Sequence, residues 1–339
     1  MEKKKRITIA RIAELAGVSK ATASLVLNGR SAEYRIADET CRRIQEVANA
    51  YHYQPSIHAR ALRETRSYTW GLVIPDLTNF GFAQISRHLE AHCREAGIQL
   101  LIACSEDDPT IEQQVVDSLI SRQVDGLIVA SSTHNDEIYC RIHDQLPVVQ
   151  LDRHIGESHL PMVISDACKV TAELVQAMAA EHGNRIYYFG GLLDLSPSRH
   201  RLAGYELGLH RAGFEAETRY VRHRDYQPRS GYQLMSELVD ELGGELPEAL
   251  FTASFTLLEG VLRYLNEHGR MDTPMRLCTF DDHYLLDCVP LRIDSIAQDC
   301  EALANHAFSL MEQLVRGRTP DNIALVLPPA IHWRTRKHT

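Results

Sequence analysis

At 339 residues, with 44% apolar and 24% charged side chains, the chain exceeds one compact core and has an ordinary globular composition. No apolar run approaches the ~18 residues that cross a bilayer, and the basic start lacks the apolar stretch and small-residue cleavage site of a signal peptide. The eight scattered cysteines form no Cys-x-x-Cys pair, so the expectation is reduced thiols in a cytoplasmic protein with no membrane partner.

The net charge of −9 is unevenly spread. Residues 1–70 carry 13 Lys/Arg against 7 Asp/Glu, and the remainder 23 against 38. A basic head on an acidic body concentrates attraction for a polyanion at one end. A solvated basic tail gives a similar count, so charge suggests nucleic acid without establishing it.

In chain order, Thr8 is placed to cap a first helix in which Ile9, Ile12, Ala13 and Ala16 recur at helical spacing. Gly17 ends that helix in a tight turn, and Ser19 caps a second from Lys20 to Leu27, closed by Asn28 and Gly29. Asp38 is expected to cap a third, with Ile44, Val47, Ala48 and Tyr51 along one face. Two short helices about a glycine turn, closed by a third, match the helix-turn-helix design; a generic three-helix bundle is the alternative.

In that design the N-terminal part of the second helix faces the major groove. Lys20 can donate to guanine or phosphate, Ala21 and Thr22 can meet a thymine methyl, and Leu25 lies on the same face. Thr8, Ser19, Ser24, Asn28, Arg30 and Tyr34 suit phosphates, which set register without reading sequence. Pro55 then suits the first turn of a further helix running through His58, Ala59 and Leu62. About eight residues are not stable as a helix alone in water, so this segment should order only against a partner helix or DNA. Two copies can enter a minor groove and push Leu62 between base steps. A plain linker is the other reading.

The run TIARIAELAGVSKATASLVLNG at 8–29, with YQP at 53–55 and ARAL at 59–62, resembles the headpiece and hinge of the lactose-repressor (LacI/GalR) family. The similarity extends over essentially the whole chain. The segments KATASLVLNGR (20–30), QPSIHAR (54–60) and FDDHY (280–284) resemble its sucrose- and fructose-responsive branch most. The resemblance places the main base-reading positions on Lys20, Ala21 and Leu25. It implies a headpiece at 1–53, a hinge helix and linker at 54–67, and a ligand-binding and dimerisation domain at 68–339. It further implies control of sucrose uptake and hydrolysis genes, with fructose or fructose 1-phosphate as inducer.

From residue 68 onward, β-branched runs alternate with helical stretches. Strands are expected at 70–74, 99–104, 126–130, 148–151, 163–165, 186–189, 249–252, 277–280 and 295–297. Such alternation predicts parallel sheets covered on both faces, and this many strands suggests two doubly wound lobes. The fold class is therefore α/β, a two-lobed core preceded by a small all-α headpiece. The resemblance implies a periplasmic-binding-protein-like architecture whose chain crosses between lobes near 165, 295 and 325.

Ligands of open parallel sheets bind beyond the carboxyl ends of the strands, where this chain has Asp76, Ser105, Ser131, Asp152, Arg153, Asp166, Ser254, Asp281 and Gln298. Asp281 and Asp152 can accept from sugar hydroxyls, Arg201 can donate a fork, Asn79 and Gln298 can do both, and Tyr226 or Phe80 can cover a ring. Matching the family's motifs puts Asn79, Phe80, Phe82, Asp152, Arg201, Tyr226, Ser254, Asp281 and Gln298 in the cleft. Arg153, Arg199, Ser196 and Ser198 are available for a phosphate or, equally, for closing the lobes.

No Gly-x-Gly-x-x-Gly, phosphate loop, His-Glu-x-x-His or Gly-x-Ser-x-Gly motif is present, and the 17 histidines have no metal-ligand spacing. No cofactor, metal or catalytic residue is expected. A sugar-processing enzyme with a DNA-binding tail is the weaker alternative. The partners expected are a pseudo-palindromic operator, a small sugar or sugar phosphate, and a second copy of the chain. The absence of a terminal heptad repeat favours a dimer over a zipper-built tetramer.

Overall fold

The computed structural model describes residues 7–53, 66–156 and 158–335. The chain divides into an N-terminal unit, Met1–Tyr68, and a larger unit, Thr69–Thr339. The expected hinge helix, with His58, Ala59 and Leu62, lies outside the described residues.

The N-terminal unit holds α1 (Ile9–Leu15), α2 (Lys20–Leu27) and α3 (Asp38–Ala50). Thr8 Oγ1 accepts from the Arg11 amide, and Ser19 Oγ accepts from the Thr22 amide at 3.0 Å, so each of the first two helices has a side-chain cap. Gly17 takes φ +65° in the turn between them, a conformation open to glycine at no steric cost. The third helix begins differently. Ala37 is its cap residue and makes no side-chain bond, while Asp38 is the first helical residue, where its charge favours the helix dipole. Ile12, Ala13, Ala16, Ala23, Val26, Ile44 and Ala48 form the core. Tyr51, expected on the packed face, is the cap residue just past the last residue of α3 and is 53% exposed.

The larger unit comprises two lobes. Sheet one contains β1 (Thr69–Ile74), β2 (Gln99–Cys104), β3 (Gly126–Val129), β4 (Val148–Leu151), β5 (Met162–Ser165) and β11 (Ala324–Leu327). Sheet two contains β6 (Ile186–Gly190), β7 (Val221–His223), β8 (Ala249–Thr252), β9 (Arg276–Phe280), β10 (Asp294–Ala297) and β12 (Ala330–His332). Their orders are β11-β5-β4-β3-β1-β2 and β12-β10-β9-β8-β6-β7. Every pairing is parallel except β10 with β12. Only Pro328 and Pro329 separate β11 from β12, too few residues for a crossover helix, so the chain enters sheet two at its cleft end and runs back along β10.

Sheet one is covered by α4 (Phe80–Glu95), α5 (Pro109–Ser121), α6 (Glu137–His143) and α11 (Cys300–Val315). Sheet two is covered by α7 (Ala167–His182), α8 (Ser196–Arg211), α9 (Pro228–Glu241) and α10 (Phe255–Glu267). The strands therefore bury both faces and read as continuous apolar runs, as in the fully buried β3, β4 and β8. The chain passes between lobes after β5, after β10 and after β11; α11 follows a strand of sheet two yet packs its Leu303, Ala307 and Met311 on sheet one.

Helix α8 lies close on α7 because Gly204 and Gly208 face it. A Cβ on Gly204 would sit 2.6 Å from the Cys168 carbonyl, and one on Gly208 would sit 2.7 Å from that of Ala172. This close approach sets where the N-terminal half of α8 delivers Arg201.

Candidate functional site

On the N-terminal unit, Lys20 and Ala21 are exposed at the start of α2, and Thr22 and Leu25 are half-buried beside them. The Thr22 hydroxyl lies 2.8 Å from Ser19 Oγ, so both hydroxyls serve the cap as well as the surface. Asn28 Nδ2 donates to the Ser24 carbonyl at 2.6 Å, closing the helix. Arg30 is forked onto both carboxylate oxygens of Glu33, each at 2.7 Å, and reaches the Tyr34 hydroxyl at 3.2 Å. Arg30 and Tyr34 thus form one exposed cluster with an acid that a phosphate must compete against.

Between the lobes lies a cavity of about 260 Å³. Asn79, Phe82, Asp152, Arg153, Arg201, Tyr226, Ser254, Asp281 and Gln298 line it. Phe80 does not. Its ring packs on His283 with centroids 4.2 Å apart and on Tyr284 at 5.8 Å. Two residues along a helix is about 200° of turn, so with Phe82 facing the cavity Phe80 faces elsewhere.

The lobe-one wall comes from three strand-end loops. Asn79 caps α4, accepting from the amides of Gly81 at 3.0 Å and Phe82 at 3.3 Å. Arg153 is 5% exposed and donates to Asp107 Oδ1 at 2.6 Å and to the Ser131 carbonyl at 3.1 Å. Beneath that carbonyl, the buried Glu112 accepts from Ser131 Oγ, the Ser132 amide and the Tyr139 hydroxyl, which fixes the loop. Asp107 and Asp152 hold φ of +57° and +62°, and Asp281 across the cleft +68°, so three lining acids sit in the sparsely populated left-handed region.

The lobe-two wall centres on Arg201, 6% exposed. Its guanidinium lies 3.8 Å from the Phe280 ring centroid and 5.8 Å from that of Tyr226, and Nη1 donates to the Ala253 carbonyl at 2.6 Å. Its Nε is buried with no hydrogen-bond partner. Tyr226 is oriented by Ser198, hydroxyl to hydroxyl at 2.8 Å, and Ser254 caps α10 through the Leu257 amide. Gln298, at the second crossing, accepts from Ser165 Oγ at 2.6 Å and donates to Asp281 Oδ1 at 2.9 Å. Asp281 is thereby aimed from the segment that joins the lobes.

Burial pushes the Asp152 carboxyl above its ordinary range, and the charges of Arg201 and Arg153 offset this in part. Glu259, on α10 and also lining the cavity, is raised by burial. Sequence reasoning missed Glu259, Asp107 and Gln227. Asp107 follows β2, where the strand-end rule reaches it; Gln227 follows β7, a three-residue strand with no readable alternation. Glu259 carried no signal at all, since a helical acid ordinarily reads as a solvated face. Among the described residues no group of three or more His, Cys, Asp or Glu is placed to hold a metal ion, and no helix is long and apolar enough to cross a membrane.

A helix-turn-helix unit followed by a two-lobed α/β unit with a polar, arginine-centred cleft defines a ligand-responsive DNA-binding regulator. Comparison with known proteins agrees. Residues 8–56 match the bacterial regulatory proteins of the lacI family, and residues 67–287 match the periplasmic binding proteins and sugar binding domain of that family. The chain is 51% identical over 332 residues to a sucrose operon repressor of Klebsiella pneumoniae, covering 98% of this chain and 99% of that one. A Cra transcriptional dual regulator from Pseudomonas putida, solved in complex with fructose 1-phosphate, is 32% identical with a TM-score of 0.73, covering 79% of this chain and 99% of that one. The lac repressor dimer bound to operator has the same fold, with a TM-score of 0.83 at 22% identity, covering 98% and 99%. This chain belongs to the LacI family of bacterial regulatory proteins.

Proposed function

We propose that the chain is a cytoplasmic, operator-binding repressor of sucrose uptake and utilisation genes, released by fructose or fructose 1-phosphate. The observation that carries this reading is the cleft: Arg201 and Asp281 from one lobe and Asp152 and Asn79 from the other line a single cavity. That set offers fork donation and several carboxylate acceptors, the chemistry that vicinal hydroxyls require. At about 260 Å³ the cavity is slightly below the roughly 300–1,000 Å³ of pockets for drug-sized ligands, which suits one hexose better than a disaccharide. The near-full-length likeness to a sucrose operon repressor supports the gene target.

In this reading two copies pair, and each α2 enters a major groove with Lys20, Ala21 and Leu25 towards the bases. Thr8, Ser19, Ser24, Asn28, Arg30 and Tyr34 set the register on phosphates. The segment holding His58, Ala59 and Leu62 orders in the minor groove between them. Sugar contacts residues of both lobes, so it favours one lobe arrangement; coupling of that kind is typically ~1–3 kcal/mol per site. The test is calorimetric titration with fructose, fructose 1-phosphate and sucrose, alongside a gel shift on DNA upstream of a sucrose-uptake gene. Binding of a fructose compound with release of that DNA is expected. DNA affinity unchanged at saturating fructose and fructose 1-phosphate would overturn the inducer assignment.

A further inference from the structure

Away from the crossing segments, contacts between described residues of the two lobes include an aromatic cluster, in which Phe80 meets both His283 and Tyr284, and a hydrogen bond. In the cluster Phe80, the first residue of α4 in lobe one, packs its ring on His283 of lobe two at 4.2 Å between centroids. The hydrogen bond runs from the His154 amide, after β4, to Ser196 Oγ at the start of α8, at 2.8 Å. Each stands one residue from the cavity wall. Gly81 follows Phe80, Arg153 precedes His154, and Pro197 follows Ser196.

The Phe80 contact has the build of a fixed element. His283 is 8% exposed and stacks on Phe255 at 4.6 Å with the planes 11° apart, so it lies between two phenyl rings from opposite lobes. Its Nδ1 accepts from the Leu285 amide at 3.1 Å, which sets the ring plane and puts any neutral-ring proton on Nε2. Burial holds its basicity below the ordinary imidazole value, which keeps the ring an uncharged stacking partner. Phe255 opens α10, and its neighbours Ser254 and Thr256 line the cavity. The stack therefore ties the N-terminus of α4 to the N-terminus of α10, two helix ends that both face the ligand space.

We propose that Phe80 and His283 form a cross-lobe clasp that stabilises the closed cleft, so that ligand affinity depends on a pair of rings outside the cavity lining. The clasp rests on the reading of the cleft as a sugar site. An opened cleft separates Phe80 from His283 and exposes both, while ligand reaching both walls restores the contact. Affinity measured on the whole protein then scales with the fraction of molecules already closed.

The experiment is site-resolved hydrogen exchange on the full chain without sugar, joined to calorimetry with fructose and with fructose 1-phosphate. An aromatic pair of this kind corresponds to about a two- to ten-fold change in a two-state equilibrium. Phe80→Ala should therefore speed exchange of the His154 amide by about that factor, although the two residues belong to separate cross-lobe contacts, and should weaken sugar binding by the same factor. His283→Phe keeps a ring between Phe80 and Phe255 and should retain both properties. Should Phe80→Ala fail to fold, Phe80→Leu, which keeps apolar volume without a ring, supplies the same measurement with a smaller shift. A folded variant lacking the Phe80 ring with unchanged His154 exchange would overturn the clasp. So would equal losses from His283→Phe and Phe80→Ala. If the unsubstituted protein binds neither sugar, the sugar reading fails on its own, and the exchange rates still decide the clasp.

Discussion

The Arg201 guanidinium lies 3.8 Å from the centroid of the Phe280 ring, with Nη1 held by the Ala253 carbonyl at 2.6 Å. The contact fixes a long cationic side chain in one place at the cleft wall before ligand arrives, so little conformational entropy is lost on binding. Lysine has neither the planar fork nor the stacking face. Arg201→Lys is predicted to weaken sugar binding roughly ten- to a hundred-fold, the loss of one charged hydrogen bond, as read by calorimetry. Undiminished affinity would remove Arg201 from the ligand set.

Asp152 is predicted to make stability pH-dependent in the direction opposite to a salt-bridged acid. Burial raises its pKa in the folded protein above the ordinary 3.8. Ionisation is therefore harder in the fold than in the unfolded chain, and the resulting penalty is present at neutral pH and relieved as pH falls through the raised value. Asp152→Asn should raise the melting temperature at pH 7, with a gain that fades as pH falls through the raised value and is gone below about pH 4, while weakening sugar binding. Asparagine tolerates the φ of +62° at this position, so backbone strain does not confuse the comparison. A melting temperature lowered at pH 7 would refute this.

Asp282 behaves in the reverse sense. Despite partial burial, its pKa is lowered by hydrogen bonds from Ser295 Oγ at 2.6 Å and Arg334 Nη2 at 2.9 Å, with His332 3.0 Å away. A depressed acid contributes stability above the ordinary 3.8, lost as pH falls through the folded value. Asp282→Asn is predicted to destabilise by about 1–3 kcal/mol at pH 7 in chemical denaturation. The difference from the unsubstituted chain should close under strongly acidic conditions.

Gly204→Ala places a methyl group 2.6 Å from the Cys168 carbonyl, a backbone atom that cannot step aside. The prediction is a loss of about 1–3 kcal/mol and a displaced α8. Because Arg201 rides on the same helix, sugar affinity should fall with stability. Loss of stability with full affinity would show that α8 does not set the position of Arg201.

Lys20, exposed at the start of α2, is predicted to add to DNA affinity chiefly through phosphate charge or a guanine edge. Lys20→Ala should reduce the slope of log affinity against log salt by about one if it meets phosphate. Relaxed discrimination at one base pair would instead mark a base contact. An unchanged slope together with unchanged discrimination would exclude Lys20 from the interface.

Much of this molecule was legible before any coordinate. Thr8, Gly17 and Ser19 act within one turn of chain, and the structure uses them as cap, turn and cap. The buried strands were readable because an apolar run between turn residues has few other uses in a chain of this length. Tyr51, Asp38, β7, β11 and β12 were misread or missed where the decision was not local: a C-cap residue left exposed, a cap supplied by alanine, and strands of three or four residues.

What the sequence determined by itself is the set of short-range choices, since caps, turns and strand ends depend on neighbours within a few residues. It thereby determined the class of fold and which residues stand at strand ends. The tertiary structure alone decided how those ends face one another. It turned Phe82 to the cavity and Phe80 to His283, brought Gln298 onto Asp281, and set the Arg201 guanidinium on Phe280, because these relations join residues up to hundreds of positions apart. Local pattern cannot encode them; packing within lobe two sets Arg201 on Phe280, and the meeting of the two lobes about three crossings sets Phe80 on His283.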